Sequence, residues 1–359
     1  MTTSDILSQV REQTRISSEP APSYFEKHVD DFCFKFKNQF KNITRFYVLF
    51  HVCFFALGVL ELVSFLFFFS FFTKSTFLAL SLAALFMTAF SYFVLLFYFD
   101  AKKPEQIFRL RQQYLTECRQ LLSVDEGSSE YLLALAFALH RFFTHFHQEE
   151  CRFYPISKKF ETLSTLLEKF SAWCHWKDVH KIKEALLLAC IDQYIRLIKT
   201  SPSDLEAHAS LAQSFCILYR HYLDPRKIYD NLKLPWVSSE YFSEAMKQKF
   251  HSAAERAIEE FKILADYAPQ DLWVHSQLAM IYHDLNRIND EIQEYETMIK
   301  ISPNDREVLF HLGVLYFQQG SNAKALRIYE QLKKVKDKKA DELISYYDAY
   351  LSKYYDYAS

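Results

Sequence analysis

The chain has 359 residues, a formal net charge of -2 at pH 7, seven cysteines and only four glycines. The near-neutral charge excludes a globally basic nucleic-acid binder, and so few glycines leave little room for phosphate-cradling loops, nucleophile elbows or a dinucleotide-binding turn. Cys33, Cys53, Cys118, Cys151, Cys174, Cys190 and Cys216 form no CxxC pair and keep no regular spacing, the pattern of unpaired thiols in a reducing compartment.

Residues 1–23 are rich in Ser, Thr and Pro without a sustained period and read as a disordered cytosolic tail. The charged n-region and short apolar core of a cleavable signal peptide are missing, which gives the later apolar block the role of a signal anchor. Over 24–45, Phe25, Val29, Phe32, Phe36 and Phe40 recur at helical spacing, interleaved with Lys35, Lys37, Lys41 and Arg45. Two readings follow: a basic amphipathic juxtamembrane helix lying on an anionic leaflet, or the soluble first turns of a helix that continues into the next segment.

The block 46–99 holds two apolar runs, Tyr47 to Phe72 and Thr76 to Phe99, parted by Thr73, Lys74 and Ser75. The whole-chain mean hydropathy of -0.12 hides it. About 20 helical residues cross a hydrocarbon core about 30 Å thick, so each run is long enough to span. The expectation is a transmembrane helical hairpin, with a re-entrant hairpin that never emerges as the alternative for so short a turn. Lys102, Lys103, Arg109 and Arg111 follow the second run as the four cations above precede the first. By the positive-inside rule both termini are then cytoplasmic. Glu61 is the one formal charge inside the runs. Folding the hairpin about Lys74 sets Met87 and Thr88 opposite it and Ser91 a turn away. This intramembrane carboxyl group therefore reads as a hydrogen-bonded link between helices rather than a proton or ion path.

Residues 104–178 read as a helical connector with degenerate repeats. Pro104 is a natural helix start, Ile107 to Leu122 an amphipathic helix and Asp125 to Ser129 a break; Tyr131 to Phe146 and Phe160 to Trp176 are two further helices.

Over 179–336 a repeat emerges. Pro202, Pro269 and Pro303 sit in Ser-Pro-Ser-Asp, Ala-Pro-Gln-Asp and Ser-Pro-Asn-Asp contexts, the last two prolines 34 residues apart, a period of two-helix repeats. In Arg306 to Lys333, the places of Leu309, Leu312, Gly313 and Tyr316, then Ala325, Tyr329 and Leu332, resemble those of the tetratricopeptide repeat. Leu272 to Pro303 is similar through His275, Leu278, Ala279, Tyr282, Tyr295 and Met298, with Glu291 where a small residue is usual. Two more units are degenerate. Leu205 to Tyr222, with Leu211, Ala212 and Phe215, pairs with Glu240 to Tyr267, with Ala257, Phe261 and Leu264, across an insert near 223–240. Cys190, Tyr194 and Leu197 look like another second helix whose mate lies in 157–176. Residues 337–359 supply a capping helix that packs through Leu343, Tyr347, Tyr350, Leu351 and Tyr354. The expected fold is all-α, a two-helix transmembrane hairpin followed by a tetratricopeptide-like α-solenoid.

The resemblance implies a partner-binding groove lined by the first helix of each repeat, here Trp273, Ser276, Met280 and His283, then Glu307, Phe310, Val314 and Phe317. The basic and amide residues of the family's carboxylate clamp are absent, so the implied ligand is an apolar peptide or an amphipathic helix. The alternative is that the capping helix or the insert fills the groove. His140, His145, His147, Glu150 and Cys151, and likewise Cys174, His175 and His180, have no recognised ligand spacing and read as satisfied or surface side chains. No catalytic constellation, metal or cofactor is expected.

These features point to a membrane-anchored scaffold or adaptor that binds a protein partner on the cytosolic side of a lipid bilayer, without nucleic acid. A chaperone or assembly factor sheltering apolar client segments is the alternative, and a transporter or metal-dependent enzyme a third. The layout is also similar to the bilobed hydrophobic domain of chlamydial inclusion membrane proteins, which implies a solenoid facing a host cytosol.

Overall fold

A computed structural model of the chain describes residues 23–67, 77–122, 124–154, 161–223 and 242–347. Nearly all of the expected tail, the hairpin turn, the insert, and Tyr350, Leu351 and Tyr354 lie outside the described residues. Every regular element among those described is helical, and they divide into two compact units. One comprises the described residues up to Leu197 together with Phe242; the other comprises Ile198–Leu223 and the described residues from Ser243.

The first unit is built on two helices of 45 residues each, α1 (Ser23–Phe67) and α2 (Phe77–Leu121). Nothing in α1 stops a helix: it has no proline, and its one glycine, Gly58, has open space where a Cβ would lie. α2 passes straight through Pro104, which was expected to start a helix. The bond that proline forfeits belongs to the carbonyl of Asp100, an exposed residue with access to other donors. The two helices run antiparallel. Lys35 Nζ meets Glu117 at 2.7 Å, Tyr47 donates to Gln106 at 2.7 Å, His51 meets Tyr92 at 3.2 Å and Thr88 donates to Glu61 at 2.9 Å. Both are long and apolar enough to cross a membrane, and their apolar halves are unburied.

Below those halves the same helices enter a protein core. Phe36 sets its edge against Tyr114 (5.6 Å between centroids), Tyr114 stacks on Phe142 (4.4 Å) and Phe40 meets Phe146 (5.2 Å). Phe142 comes from α3 (Ser129–Thr144), capped by the Ser128 side chain, and the Tyr114 hydroxyl donates to the Ala138 carbonyl at 2.7 Å. The apolar side of 24–45 is therefore not laid on a leaflet. Phe25, Val29, Phe36, Phe40 and Thr44 are buried in the core. Its cations are taken by protein acceptors: Lys35 by Glu117, Lys37 and Lys41 by Glu149, and Arg45 by the Phe153 carbonyl. Complementary aromatic rings reward this placement with edge-to-face geometry that lipid tails lack.

A short 3-10 turn, Glu149–Cys151, leads to α4 (Glu161–Thr200), a single helix of 40 residues. Sequence reading expects two helices here. No glycine or proline lies between Glu161 and Thr200 to divide them, so the described part of the expected mate, 161–176, runs in line with Cys190–Leu197 and not antiparallel to it.

The second unit stacks helix pairs: α5 (Leu205–Tyr222) with α6 (Glu244–Tyr267), α7 (Leu272–Asp284) with α8 (Ile288–Ile301), and α9 (Arg306–Gln318) with α10 (Asn322–Lys334), followed by helical residues 339–347. Pro202, Pro269 and Pro303 each follow a helix end, and two residues later an aspartate caps the next helix. Asp204 accepts from Glu206 and Ala207, Asp271 from Trp273, and Asp305 from Glu307 and Val308. Within the last two pairs the turn passes through the left-handed region, at Asn286 (φ 58) and Gly320 (φ 77). There the Arg287 amide bonds the Tyr282 carbonyl and the Ser321 amide the Tyr316 carbonyl, each at 2.8 Å. Leu309, Leu312, Leu315, Ala325, Ile328 and Leu332 form the core of the last pair with Ala340 and Leu343.

Candidate functional site

Asp271 and Asp305 open α7 and α9 34 residues apart, so the eight candidate groove residues fall on matching turns. Trp273 corresponds to Glu307, Ser276 to Phe310, Met280 to Val314 and His283 to Phe317. The structure splits them into a covered set and an open set.

On α9, Phe310 is 8% and Phe317 1% exposed. Tyr346 lies 6.3 Å from the first ring and Tyr347 5.4 Å from the second, while Lys339 stands 5.7 Å over Phe310 and pairs with Glu307. Val314 is half-buried against the same cluster. Residues 339–347 thus cover the most apolar part of the expected groove, and Leu343 and Tyr347 pack as the capping reading expects. The Glu307 side chain stays 68% exposed.

On α7, Trp273 is half-buried, edge-on to Phe261 at 5.5 Å, and Ser276 donates to the Trp273 carbonyl at 2.7 Å. Met280 is half-buried, its sulfur accepting from Arg220 of α5, while Tyr219 beside that arginine donates to Asp284 at 3.0 Å. The His283 side chain is 70% exposed and meets Glu291 at 3.2 Å. Glu291 occupies the position where a small residue is usual and is buried. Its carboxylate reaches His283 and ties α8 to α7, so a glutamate at this position supplies a polar link between the two helices.

A second repeated device escaped the sequence reading. His208 and His275 each place Nδ1 on a glutamate of the following helix, Glu260 at 2.6 Å and Glu294 at 2.7 Å. Each places Nε2 on the carbonyl of the proline six residues earlier, Pro202 at 3.1 Å and Pro269 at 3.0 Å. The signal was present as two prolines each followed six residues later by histidine; the third, Pro303, is followed by Leu309.

The tetratricopeptide repeat family profile matches residues 274–305 and 307–339. These two segments are tetratricopeptide repeats. A search of curated proteins gives no match. Two similar solved structures are monomeric mutants of IFIT1, one with Gppp-AAAA and one with m7Gppp-AAAA. They are 13% and 12% identical, with TM-scores of 0.32 and 0.33. The alignments cover 66% and 68% of this chain and 58% and 60% of theirs, so the chain spans less than two thirds of the length of these neighbours.

The other candidates separate into structural roles. Glu61 takes the hydrogen bond from Thr88 that the folded hairpin was expected to bring, at 2.9 Å. His145 stands 3.4 Å from Asp30. His175 is buried, stacked on Phe153 at 3.8 Å and bonded to the Tyr154 hydroxyl at 3.0 Å; burial, then Lys103, Arg45 and Lys41, push its pKa down to about 3. His180 stacks on Trp176 at 5.2 Å. Burial pushes the Cys151 and Cys174 thiols up to about 11, away from nucleophile or ligand behaviour. Among the described residues no three His, Cys, Asp or Glu side chains converge as a metal site.

Proposed function

We propose that the chain is a membrane-anchored scaffold or adaptor. α1 and α2 hold it in a bilayer as two spans with both termini cytoplasmic, and the tetratricopeptide repeats bind a protein partner on the cytosolic side. One observation carries this reading: repeats at 274–305 and 307–339 share a chain with two 45-residue helices whose apolar halves are unburied. Keeping side chains such as Phe55, Phe67, Phe86 and Phe97 in water would forgo roughly 1.5–3 kcal/mol apiece, a cost that lipid removes. The reading gives the chain no catalytic step and no cofactor.

The docking surface in this reading is the open set, Trp273, Ser276, Met280, His283 and Glu307. Two apolar side chains bordered by an imidazole and a carboxylate suit an amphipathic helix better than a wholly apolar peptide. The cover over Phe310 and Phe317 supports an adaptor over a chaperone, since an apolar client would first have to displace 339–347. If the layout likeness to inclusion membrane proteins holds, the surface faces a host cytosol.

The test is proximity crosslinking from the intact membrane-embedded protein, comparing wild type with His283→Glu combined with Glu307→Lys. Both side chains are exposed, but the changes set a carboxylate beside Glu291 and an ammonium beside Lys339, so helicity should be kept and the thermal midpoint should drop modestly while capture of a single partner is lost. Unchanged capture would remove the groove from the reading, and a diffuse set of apolar clients would favour the chaperone. Release of the protein by alkaline carbonate would remove the spans.

A further inference from the structure

The amino-terminal half of α4 has two faces, and the protein core uses one of them. Ser171, Ala172, His175 and Val179 are buried, with Ser171 donating to the Glu150 carbonyl at 2.6 Å. On another side of the helix, Leu163, Leu166, Phe170 and Trp173 follow one another at intervals of three, four and three residues, which aligns them in a single stripe. All four are exposed, Leu166 at 64% and Trp173 at 56%.

Two ties fix the direction of that stripe. Lys103 of α2 meets Asp178 at 2.6 Å, and Arg111, two turns further from the apolar run, donates to the Ala185 carbonyl at 3.3 Å. α4 therefore runs parallel to α2, and followed backward from Asp178 it heads toward the apolar end of the hairpin. Phe170 accordingly lines a groove with Phe46, Leu49 and Val52, the first apolar turns of α1, beside Arg45 and Tyr154. The stripe is continuous with the apolar surface of the long helices. Lys169 and Lys177, both exposed, flank it with stems long enough to carry their charges to the headgroups.

We infer that the amino-terminal half of α4 is a partly inserted membrane element. Leu163, Leu166, Phe170 and Trp173 enter the acyl region of the cytoplasmic leaflet beside the first span, with Trp173 at the interface and Arg45 at phosphate depth. This rests on the reading of α1 and α2 as spans. Its occupant is the phospholipid bilayer itself: a soluble partner would need to fit a groove whose other wall is the base of a membrane-crossing helix.

The experiment uses full-length protein in phosphatidylcholine–phosphatidylglycerol vesicles containing lipids brominated either near the headgroup end of the acyl chain or near its terminus. The Trp173 signal is the difference in emission between wild type and Trp173→Phe. It should lose most of its intensity to the shallow bromolipid, less to the deep one, and resist aqueous acrylamide. Leu166→Trp in the Trp173→Phe background gives a second reading of the stripe, and matched circular dichroism confirms that each variant folds. Phe86→Trp in that background reports the span and should be quenched by the deep bromolipid. Quenching at Phe86→Trp with none at either stripe position overturns the inference and leaves the spans standing. Loss of quenching at all three overturns both. A stripe signal shielded from acrylamide and bromine alike places it under protein and also overturns the inference.

Discussion

His208 Nδ1 stands 2.6 Å from Glu260, and its Nε2 stands 3.1 Å from the carbonyl of Pro202. Both partners accept hydrogen bonds, and only the imidazolium has a proton for each. Burial alone would lower the pKa of His208, but the bonds it donates to Glu260 and the Pro202 carbonyl outweigh it and hold the pKa above the ordinary histidine value. The stabilisation is then complete below the unfolded pKa of about 6.5 and is lost as pH rises through the higher folded value. A urea midpoint followed upward from slightly acidic pH should fall across that window in wild type and fall less in His208→Gln. A wild type with the same slope as the variant would sink the assignment.

Gly313 packs where a Cβ would come 2.7 Å from one Leu343 methyl and 3.0 Å from the other. Gly313→Ala gains about 1 kcal/mol of helix propensity and sets it against an overpacking cost of about 1–3 kcal/mol. Gly313→Val should go further and loosen 339–347, exposing Phe310 and Phe317. The check is a double-mutant cycle with Leu343→Ala, in which the Gly313 substitution costs less once the leucine is shortened. Additive effects would mean that the helices adjust without strain.

Asp305 accepts from two amides at the start of α9. Asp305→Ala should destabilise the second unit by about 0.5–2 kcal/mol, and Asp305→Asn by much less, because the amide oxygen still caps. Chemical denaturation of the two variants gives the comparison; equal losses would point to charge rather than capping.

The Lys103–Asp178 pair holds α4 against α2, with side chains 24% and 7% exposed. Burial raises the Asp178 pKa, and Lys103 opposes that rise. Lys103→Met removes the partner in contact with a buried carboxylate, leaving only the more distant Lys177 and Lys181, and should cost up to about 3–5 kcal/mol, whereas Lys103→Met with Asp178→Leu should recover much of the loss. Unfolding of the detergent-solubilised protein measures both. A double variant as weak as the single one would make the pair a packing contact and not an electrostatic tie.

The sequence made some relationships readable and hid others for definite reasons. Glu61 opposite Thr88 was legible because a three-residue turn permits few registers. The repeats were legible because prolines and capping aspartates recur in phase. The cover on the Phe25–Phe40 face was not, since lipid and protein reward the same helical spacing and only Tyr114 and Phe142, distant in the chain, decide between them. The fate of Phe310 and Phe317 likewise depends on Lys339, Tyr346 and Tyr347, none of which belongs to the repeat signature. Pro104 shows a local stop rule yielding to context, since it sits where its lost bond is cheap, whereas α4 runs undivided because it contains no breaker at all.

Each of α1 and α2 carries an outward apolar run and part of a packed core on a single rod, about 68 Å long at about 1.5 Å per residue. Cys33 and Tyr114, 81 positions apart, lie in the basal part of that core. Their meeting closes a loop far longer than any within a repeat. Contacts such as those between α9 and α10 close within one repeat and need no such loop. The two units therefore close in different ways: the repeats through contacts local in the chain, the core of the first unit only through the pairing of α1 with α2 along their length.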